Sequence, residues 1–282
     1  IIYILLLAGM GWMLFHFYNR RKQAELEESK MRFLIDATHD IKSPLTLIVG
    51  PLKKLKAHLK DDTESQEYIR TIDHNANRLL VLVNQILDER KIDKNQMSLH
   101  CRETDIVKFV EAICKLYRPA AEDRNIQLEY SPKVGKLNVW IDRINFDKVV
   151  SNLLSNAIKY TLDGGTVTVT VAKDGNSMRL DVLDTGVGIR TENIAHIFER
   201  FYRGKNAPDV HIEGTGIGLN LCRNIVLMHG GTITAENRTD VGHGADFTVT
   251  IPLGNAHLKP HEIVTEEETQ ADVVKSKPSA SK

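Results

Sequence analysis

The chain has 282 residues, 42% of them hydrophobic and 26% charged, which is ordinary for a folded protein and sufficient for two domains. Its 37 basic residues balance 37 acidic residues, so no global field attracts nucleic acid, and we expect no direct nucleic-acid partner. The cysteines Cys101, Cys114 and Cys222 are widely separated, which argues against a zinc motif and against a disulfide framework.

The first predicted element is an apolar helix over residues 1–18, in which only His16 is strongly polar. A helix of this length spans about 27 Å, just enough to cross the hydrocarbon core of a bilayer. The basic sequence Asn-Arg-Arg-Lys follows at once, at residues 19–22. We therefore predict a transmembrane helix, or its C-terminal part, in the inner (cell) membrane, with the following residues in the cytoplasm. A buried core helix is the alternative.

A juxtamembrane helical linker is predicted over residues 19–30, and two amphipathic helices over residues 31–95. Their apolar residues, mostly three and four positions apart, are Leu34, Ala37, Ile41, Leu45, Ile48, Leu52, Leu55 and Leu59 in the first helix, and Ile69, Ile72, Ala76, Leu79, Val83 and Ile86 in the second. A polar break at residues 60–64 predicts an antiparallel hairpin. One hairpin cannot bury both stripes, so we expect a homodimer that forms a four-helix bundle.

Residues 96–253 are predicted to form an α+β domain with helices on one face of a sheet. The predicted strands are Ile126–Tyr130, Asn138–Ile141, Thr166–Ala172, Met178–Asp184, Thr232–Glu236 and Ala245–Pro252, and the predicted helices are Arg143–Tyr160, Thr191–Glu199 and Ile217–Met228. From Gly254 the sequence is polar and without periodicity, which predicts a flexible linker over residues 254–282.

The sequence His39-Asp40-x-x-Ser43-Pro44 lies in the first amphipathic helix. His39 is about 200° of helical rotation away from the neighbouring seam residues, so its ring points outward. Asp40 can accept the ring proton or fix the tautomer, which leaves the other nitrogen nucleophilic. An idle surface histidine is the plain alternative.

Two further patterns suit a nucleotide. Asn152, Asn156 and Lys159 share one face of a predicted helix, where amide oxygens can coordinate Mg²⁺ and the ammonium can neutralise phosphate, although such a face is often only solvated. Asp184 ends a predicted strand and can accept a hydrogen bond from the adenine amino group, and Gly186 and Gly188 after it allow close backbone approach.

A glycine-rich sequence, Gly214-Thr215-Gly216-x-Gly218-Leu219, opens the last predicted helix. The free N–H groups and the positive dipole end of such a helix favour phosphate. Taken alone, a glycine loop of this kind is weak support for a nucleotide site, because similar strings occur in many turns.

These motifs together resemble the sensor histidine kinases. The segment 39–45 is similar to the H-box of their dimerisation and phosphotransfer domain, and segments 152–160, 184–188, 198–203 and 213–219 are similar to the N, G1, F and G2 boxes of their Bergerat-fold ATP-binding domain. The resemblance implies ATP-dependent autophosphorylation of His39 and transfer to an aspartate of a response-regulator receiver domain. The tail after Pro252 resembles the linker of hybrid sensors, which leads to a receiver on the same polypeptide.

Roles for single residues follow from the same resemblance. It implies that Asn156 binds Mg²⁺, that Arg203 reaches the γ-phosphate, and that Tyr160 and Leu219 lie in the nucleotide site with the other residues of their boxes. Ser43 stands where the family places the residue that positions water for a phosphatase reaction. Ala245 replaces a frequent Ser or Thr, and we expect its segment to be structural without ligand contact.

Two other functions fit parts of the pattern. An ATP hydrolase on the same fold carries a glutamate one turn before the metal-binding asparagine, and Asn152 stands there instead. A non-catalytic dimer module would not need His39, Asn156 and Asp184 together. We therefore expect a protein-histidine kinase that uses ATP and Mg²⁺.

Overall fold

The computed structural model describes residues 63–93, 97–203, 216–240 and 242–264, together with single positions between 9 and 55. The chain divides into two compact units, an N-terminal unit of Ile1–Lys94 and a C-terminal unit of Asn95–Lys282. Some predicted site residues lie outside the described residues: His39, Asp40, Ser43, Gly214 and Thr215.

In the N-terminal unit, helix α1 spans Thr63–Asp93, and the described positions between 41 and 55 are helical too. Leu45 and Val49 are buried against Ala76 of α1, and Leu80 packs on the same cluster. The two predicted amphipathic helices therefore share a seam, because their apolar residues recur at the helical period.

The described positions between 9 and 18 are also helical. Trp12, Met13, Phe15 and Phe17 are exposed there. Among the described residues, no helix combines the length and the apolar character needed to span a bilayer. Residues 1–8 lie outside the described part of the chain, so the membrane helix stays a prediction.

The C-terminal unit contains seven strands and four α-helices within its described residues. The strands are β1 (Arg102–Asp105), β2 (Gln127–Tyr130), β3 (Asn138–Ile141), β4 (Thr166–Asp174), β5 (Ser177–Asp184), β6 (Thr232–Asn237) and β7 (Ala245–Pro252). The helices are α2 (Ile106–Glu122), α3 (Arg143–Tyr160), α4 (Thr191–Ile194) and α5 (Gly218–Met228). Strands β1 and β3 form a small antiparallel sheet.

The main sheet has the order β2-β4-β5-β7-β6, in which only the β2–β4 pair is parallel. In β4, Val167, Val169 and Val171 are buried while the intervening threonines are partly exposed, because alternate side chains of a strand point to opposite faces. Helices α2, α3 and α5 contact the sheet. The predicted α+β class is confirmed.

The structure differs from the predicted elements in three places. Strand β1 and helix α2 were not predicted, although the apolar face of α2 is buried. The helix predicted over Thr191–Glu199 is shorter in the structure: α4 ends at Ile194, and residues 195–198 form turns.

The predicted linker was wrong in its first part. Leu258 packs on Leu99 and Cys101. Cys101 donates its N–H to the carbonyl of Glu262 at 2.6 Å and accepts from the N–H of Val264 at 2.9 Å. Because residues 254–264 have these apolar and backbone partners, they belong to the folded C-terminal unit rather than to a flexible linker.

Candidate functional site

Helix α3 carries four of the predicted site residues. The side chain of Asp142 caps its N-terminus and accepts from the N–H groups of Ile144 and Asn145, both at 3.0 Å. Val149, Leu153 and Ala157 are fully or almost fully buried on the core face. The predicted residues Asn152, Asn156, Lys159 and Tyr160 are partly exposed instead. Packing of the apolar face therefore turns the polar face outward.

The C-terminus of α3 is held by Arg124, which the sequence did not single out. Its guanidinium donates to the carbonyls of Ile158 at 2.6 Å, Lys159 at 3.2 Å and Thr161 at 3.0 Å. It also pairs with Asp163 at 2.9 Å. The last carbonyls of a helix lack intrahelical partners and carry partial negative charge, so a cation stabilises them there. No motif marks Arg124 in the sequence.

Asp184, at the end of β5, is a buried carboxylate with one oxygen engaged. Its Oδ1 accepts from the N–H of Gly186 at 2.8 Å and from the N–H of Ala245 at 3.2 Å. Neither hydrogen bond uses Oδ2, so this oxygen can accept from a further donor. Burial raises the pKa of Asp184, and the two N–H groups oppose this shift by stabilising the ionised form.

The loop after Asp184 lies against the end of α3. Val187 donates its N–H to the carbonyl of Tyr160 at 3.2 Å. A Cβ atom on Gly186 would overlap that same carbonyl, so the position requires glycine. Gly188 has a φ of +70°, which L side chains rarely adopt. These contacts bring Asp184, Gly186 and Tyr160 together.

The glycines before α5 make equally close contacts. Gly216 has a φ of +71°, and a Cβ atom there would lie 2.6 Å from the carbonyl oxygen of Tyr202. Phe201 donates its N–H to the carbonyl of Gly216 at 3.0 Å. A Cβ atom on Gly218 would lie 2.6 Å from Oδ1 of Asn152. The start of α5 therefore lies beside the polar face of α3.

The remaining predicted residues border this region. Leu219 is partly exposed in the first turn of α5, and Arg203 is exposed at the end of the F-box segment. That segment is anchored by Tyr202, whose hydroxyl donates to Asn193 at 2.7 Å, and by Asn220, whose amide donates to the carbonyl of Phe198 at 2.8 Å.

This arrangement fits a phosphate-bearing ligand with an amino group. It offers a carboxylate acceptor at Asp184, the N-terminus of α5 and the polar face of α3. The described residues include no group of three or more His, Cys, Asp or Glu that could hold a metal ion. Mg²⁺ is commonly bound through one or two protein ligands and substrate phosphates, so the amide oxygen of Asn156 suits this role.

Two protein-family models match the chain. The model described as "Histidine kinase-, DNA gyrase B-, and HSP90-like ATPase" matches residues 141–255. The model described as "His Kinase A (phospho-acceptor) domain" matches residues 29–95 and so includes position 39.

Several known proteins are similar over most of the chain. "Histidine kinase P4" of Formosa agariphila is 33% identical over 90% of this chain and 19% of the relative. "Histidine protein kinase DivJ" of Caulobacter vibrioides is 32% identical over 81% of this chain and 38% of the relative. The chain thus spans less than half the length of either relative.

Among solved structures, ShkA full-length in complex with AMPPNP aligns with a TM-score of 0.63 and 25% identity, over 82% of this chain and 47% of that one. ThkA in complex with the response regulator protein TrrA aligns with a TM-score of 0.55 and 27% identity, over 83% of this chain and 64% of that one.

Proposed function

Because the chain belongs to the sensor histidine kinase family, we propose that it transfers the γ-phosphoryl group of ATP to His39 and then to an aspartate of a response-regulator receiver domain. The observation that carries the nucleotide part is the arrangement of Asp184, Gly186 and Tyr160. The phosphoacceptor part rests on the family match to residues 29–95 and on the pattern around His39.

The adenine base is recognised by Asp184. Its Oδ1 is occupied by the N–H groups of Gly186 and Ala245, so the other oxygen accepts the hydrogen bond of the adenine amino group. The carboxylate must be ionised to act purely as an acceptor. The two backbone N–H groups favour this ionised form against the effect of burial.

The phosphates and Mg²⁺ are held by the polar face of α3 and the start of α5. Asn156 supplies the metal ligand, while Lys159 and Arg203 stabilise the charge that develops on the transferred group. The glycine-rich sequence 214–219 offers backbone N–H groups to phosphate. Mg²⁺, when bound, neutralises phosphate charge. The ring nitrogen of His39 is the nucleophile, and Asp40 accepts the proton from the ring.

A kinase is favoured over an ATP hydrolase by Asn152. Its amide donates to the carbonyl of Lys148 at 2.7 Å, and its oxygen lies beside Gly218. A neutral amide cannot accept a proton from water at neutral pH. The position one turn before Asn156 therefore lacks a general base, whereas His39 brings its own nucleophilic nitrogen and Asp40 beside it.

A homodimer is supported by the exposed half of the helical seam. Ile41, Ile48 and Leu55 recur every seven residues, and each is 48–49% exposed in the single chain. Ile72 and Leu79 of α1 have the same spacing and similar exposure, 48% and 46%. Exposed apolar stripes with a seven-residue repeat are typical of helices that pack against another copy.

Three further features are part of the proposal: a receiver domain, a membrane anchor and a phosphatase activity. A relative named "Hybrid signal transduction histidine kinase D", from Dictyostelium discoideum, is 31% identical over 82% of this chain and 15% of the relative. Its name agrees with the resemblance of the tail to hybrid sensors, from which we infer a receiver on the same polypeptide. The apolar segment 1–18 supports a membrane anchor at the inner membrane, with the kinase on the cytoplasmic side. Ser43 supplies the hydroxyl for a phosphatase reaction on the receiver.

Labelling with ATP that carries a radioactive γ-phosphate tests the proposal. We expect acid-labile label on the protein, since phosphohistidine is acid-labile and phosphoserine is not. The His39→Gln variant should bind ATP normally, take up no label and release phosphate only at background rate. Asn156→Ala should abolish Mg-ATP-dependent labelling. Label retained by His39→Gln would show that another residue is the phosphoacceptor. Sustained ATP hydrolysis by the same variant would favour the alternative function, an ATP hydrolase.

A further inference from the structure

The hairpin formed by strands β6 and β7 contacts both ends of the segment 184–189, which we call the adenine loop. At one end, Asn237 makes a two-point contact with the backbone of Ile189. Its Oδ1 accepts from the Ile189 N–H at 2.7 Å, and its Nδ2 donates to the Ile189 carbonyl at 2.5 Å. A side-chain amide paired in this way fixes both the position and the orientation of a peptide group.

Asn237 also lies against the tightest turn of the adenine loop. A Cβ atom on Gly188 would lie 3.0 Å from Oδ1 of Asn237 and 3.4 Å from the carbonyl oxygen of Gly244. Gly188 holds its positive φ of +70° between these two groups. The hairpin thus limits where the backbone of Gly188 can move.

The other end of the adenine loop is held by the same hairpin. Ala245 donates its N–H to Oδ1 of Asp184, and a Cβ atom on Gly244 would overlap the Asp184 carbonyl. Arg238 closes the hairpin by donating its backbone N–H to the Gly244 carbonyl at 2.9 Å, and its guanidinium lies 3.4 Å from the Asp184 carbonyl. Four residues of this hairpin therefore contact the adenine loop: Asn237, Arg238, Gly244 and Ala245.

We propose that Asn237 is a positioning residue that fixes the adenine loop and thereby sets the preference for ATP over GTP; this rests on the proposed role of Asp184. Guanine has a carbonyl oxygen where adenine has the amino group, so a carboxylate held at that place repels guanine and accepts from adenine. Discrimination of this kind requires that the carboxylate cannot move away. Gly186 and Ala245 hold the carboxylate itself, and Asn237 restrains the other end of the same loop.

The location of Asn237 separates this role from a general structural one. The side chain is exposed, so its hydrogen bonds compete with water and contribute little to global stability. Loss of the amide should therefore loosen the adenine loop while the sheet stays folded. Nucleotide preference is the property expected to change, and the melting temperature is not.

The test measures dissociation constants for ATP and GTP, with thermal melting, on the whole chain and three variants. Asn237→Leu keeps the size and removes both hydrogen bonds. Asn237→Asp keeps only the acceptor and should be intermediate. Thr232→Val is the matched control, because it removes the 2.7 Å hydroxyl contact between Thr232 and Thr250 on the same hairpin, away from the adenine loop.

We expect Asn237→Leu to weaken ATP binding about tenfold, leave GTP binding nearly unchanged and so reduce the ATP/GTP ratio about tenfold. Thr232→Val should keep the wild-type ratio. An unchanged ratio in both Asn237 variants, with wild-type protein preferring ATP, would overturn the positioning role alone. A wild-type chain that does not bind ATP would overturn the proposed function itself.

Discussion

Ala245 donates its backbone N–H to Oδ1 of Asp184 across 61 positions of sequence. The same oxygen accepts from Gly186, so the hydrogen bonds that hold the side chain use one oxygen only. The structural role of Asp184 and its proposed role in binding adenine can therefore be separated by changing the other oxygen.

The variant Asp184→Asn should keep its fold and lose nucleotide affinity. The amide oxygen can still accept from Gly186 and Ala245, while an NH₂ group replaces the acceptor for the adenine amino group. We expect ATP affinity to fall by about ten- to a hundredfold, since hydrogen bonds to charged groups contribute about 1.5–3 kcal/mol. A nucleotide titration measures this. Asp174→Asn, at the exposed end of β4, is the control and should bind ATP as the wild type does.

The variant Asp246→Asn should raise stability in a pH-dependent way. Burial raises the pKa of Asp246 from 3.8 to about 6, Asp181 and Glu236 add to the rise, and Arg179 and Arg238 oppose it. Its Oδ1 is buried without a hydrogen-bond partner. Because the pKa of Asp246 is higher in the folded state, ionisation of this side chain lowers the free energy of unfolding. The loss is absent below about pH 4, grows between about pH 4 and 6, and is complete above about pH 6.

Thermal melting of the wild type and Asp246→Asn at several pH values checks the sign. We expect the variant to melt about 2–6 °C higher at pH 7.5 and the difference to shrink at pH 5. A difference that is independent of pH, or that grows as the pH falls, would contradict the raised pKa.

The variant Gly186→Ala should damage both the fold and the nucleotide site. Its Cβ would overlap the Tyr160 carbonyl and approach Oδ1 of Asp184 to 2.9 Å, so the loop or the end of α3 must shift. We expect a loss of about 2 kcal/mol in the free energy of unfolding, together with weaker ATP binding. Denaturant titration measures the first quantity. Gly135→Ala has open space around its Cβ and should be neutral in both assays.

The variant Arg124→Met should destabilise the C-terminus of α3. It removes the donor to the carbonyls of Ile158, Lys159 and Thr161 while keeping the aliphatic stem. Because Arg124 is partly exposed, we expect a loss of about 1 kcal/mol in the free energy of unfolding. Lys115→Met breaks only an exposed ion pair with Glu111 and should change stability by less than about 0.5 kcal/mol. Equal effects of the two variants would argue against the capping role.

Truncation of the chain after Leu253 should destabilise the C-terminal unit, because residues 254–264 are part of its fold. A chain that ends at Leu253 loses the buried side chain of Leu258 and the backbone bonds of Cys101 with Glu262 and Val264. We expect a cost of about 2–4 kcal/mol, comparable to the loss of a buried leucine side chain. A chain that ends at Val264 keeps these contacts and should melt as the full chain does. Identical melting of both truncated chains would show that the segment contributes nothing.

Part of the fold could be predicted because its signals are local. The buried valines of β4 alternate with threonines, and alternation with period two identifies a strand without knowledge of its partners. Val149, Leu153 and Ala157 recur every four residues, and this spacing places them on one face of the predicted helix Arg143–Tyr160. Strand β1 has four residues, Arg-Glu-Thr-Asp, with no alternating apolar pattern, so only its pairing with β3 makes it a strand.

The nucleotide motifs were readable for the same reason, since Asp184, Gly186 and Gly188 stand within five positions of each other. The groups that hold them are distant: Asn237 lies 48 positions from Ile189, Ala245 lies 61 from Asp184, and Arg124 lies 34 from Ile158. The sequence by itself predicted most of the element types, the resemblance to the family and the residues proposed to contact ATP. The tertiary structure decided which residues restrain them: pairing of β5 with β7, and of β6 with β7, brings Ala245 to Asp184 and Asn237 to Ile189. The contact of Arg124 with Ile158 joins the chain segment before β2 to the end of α3.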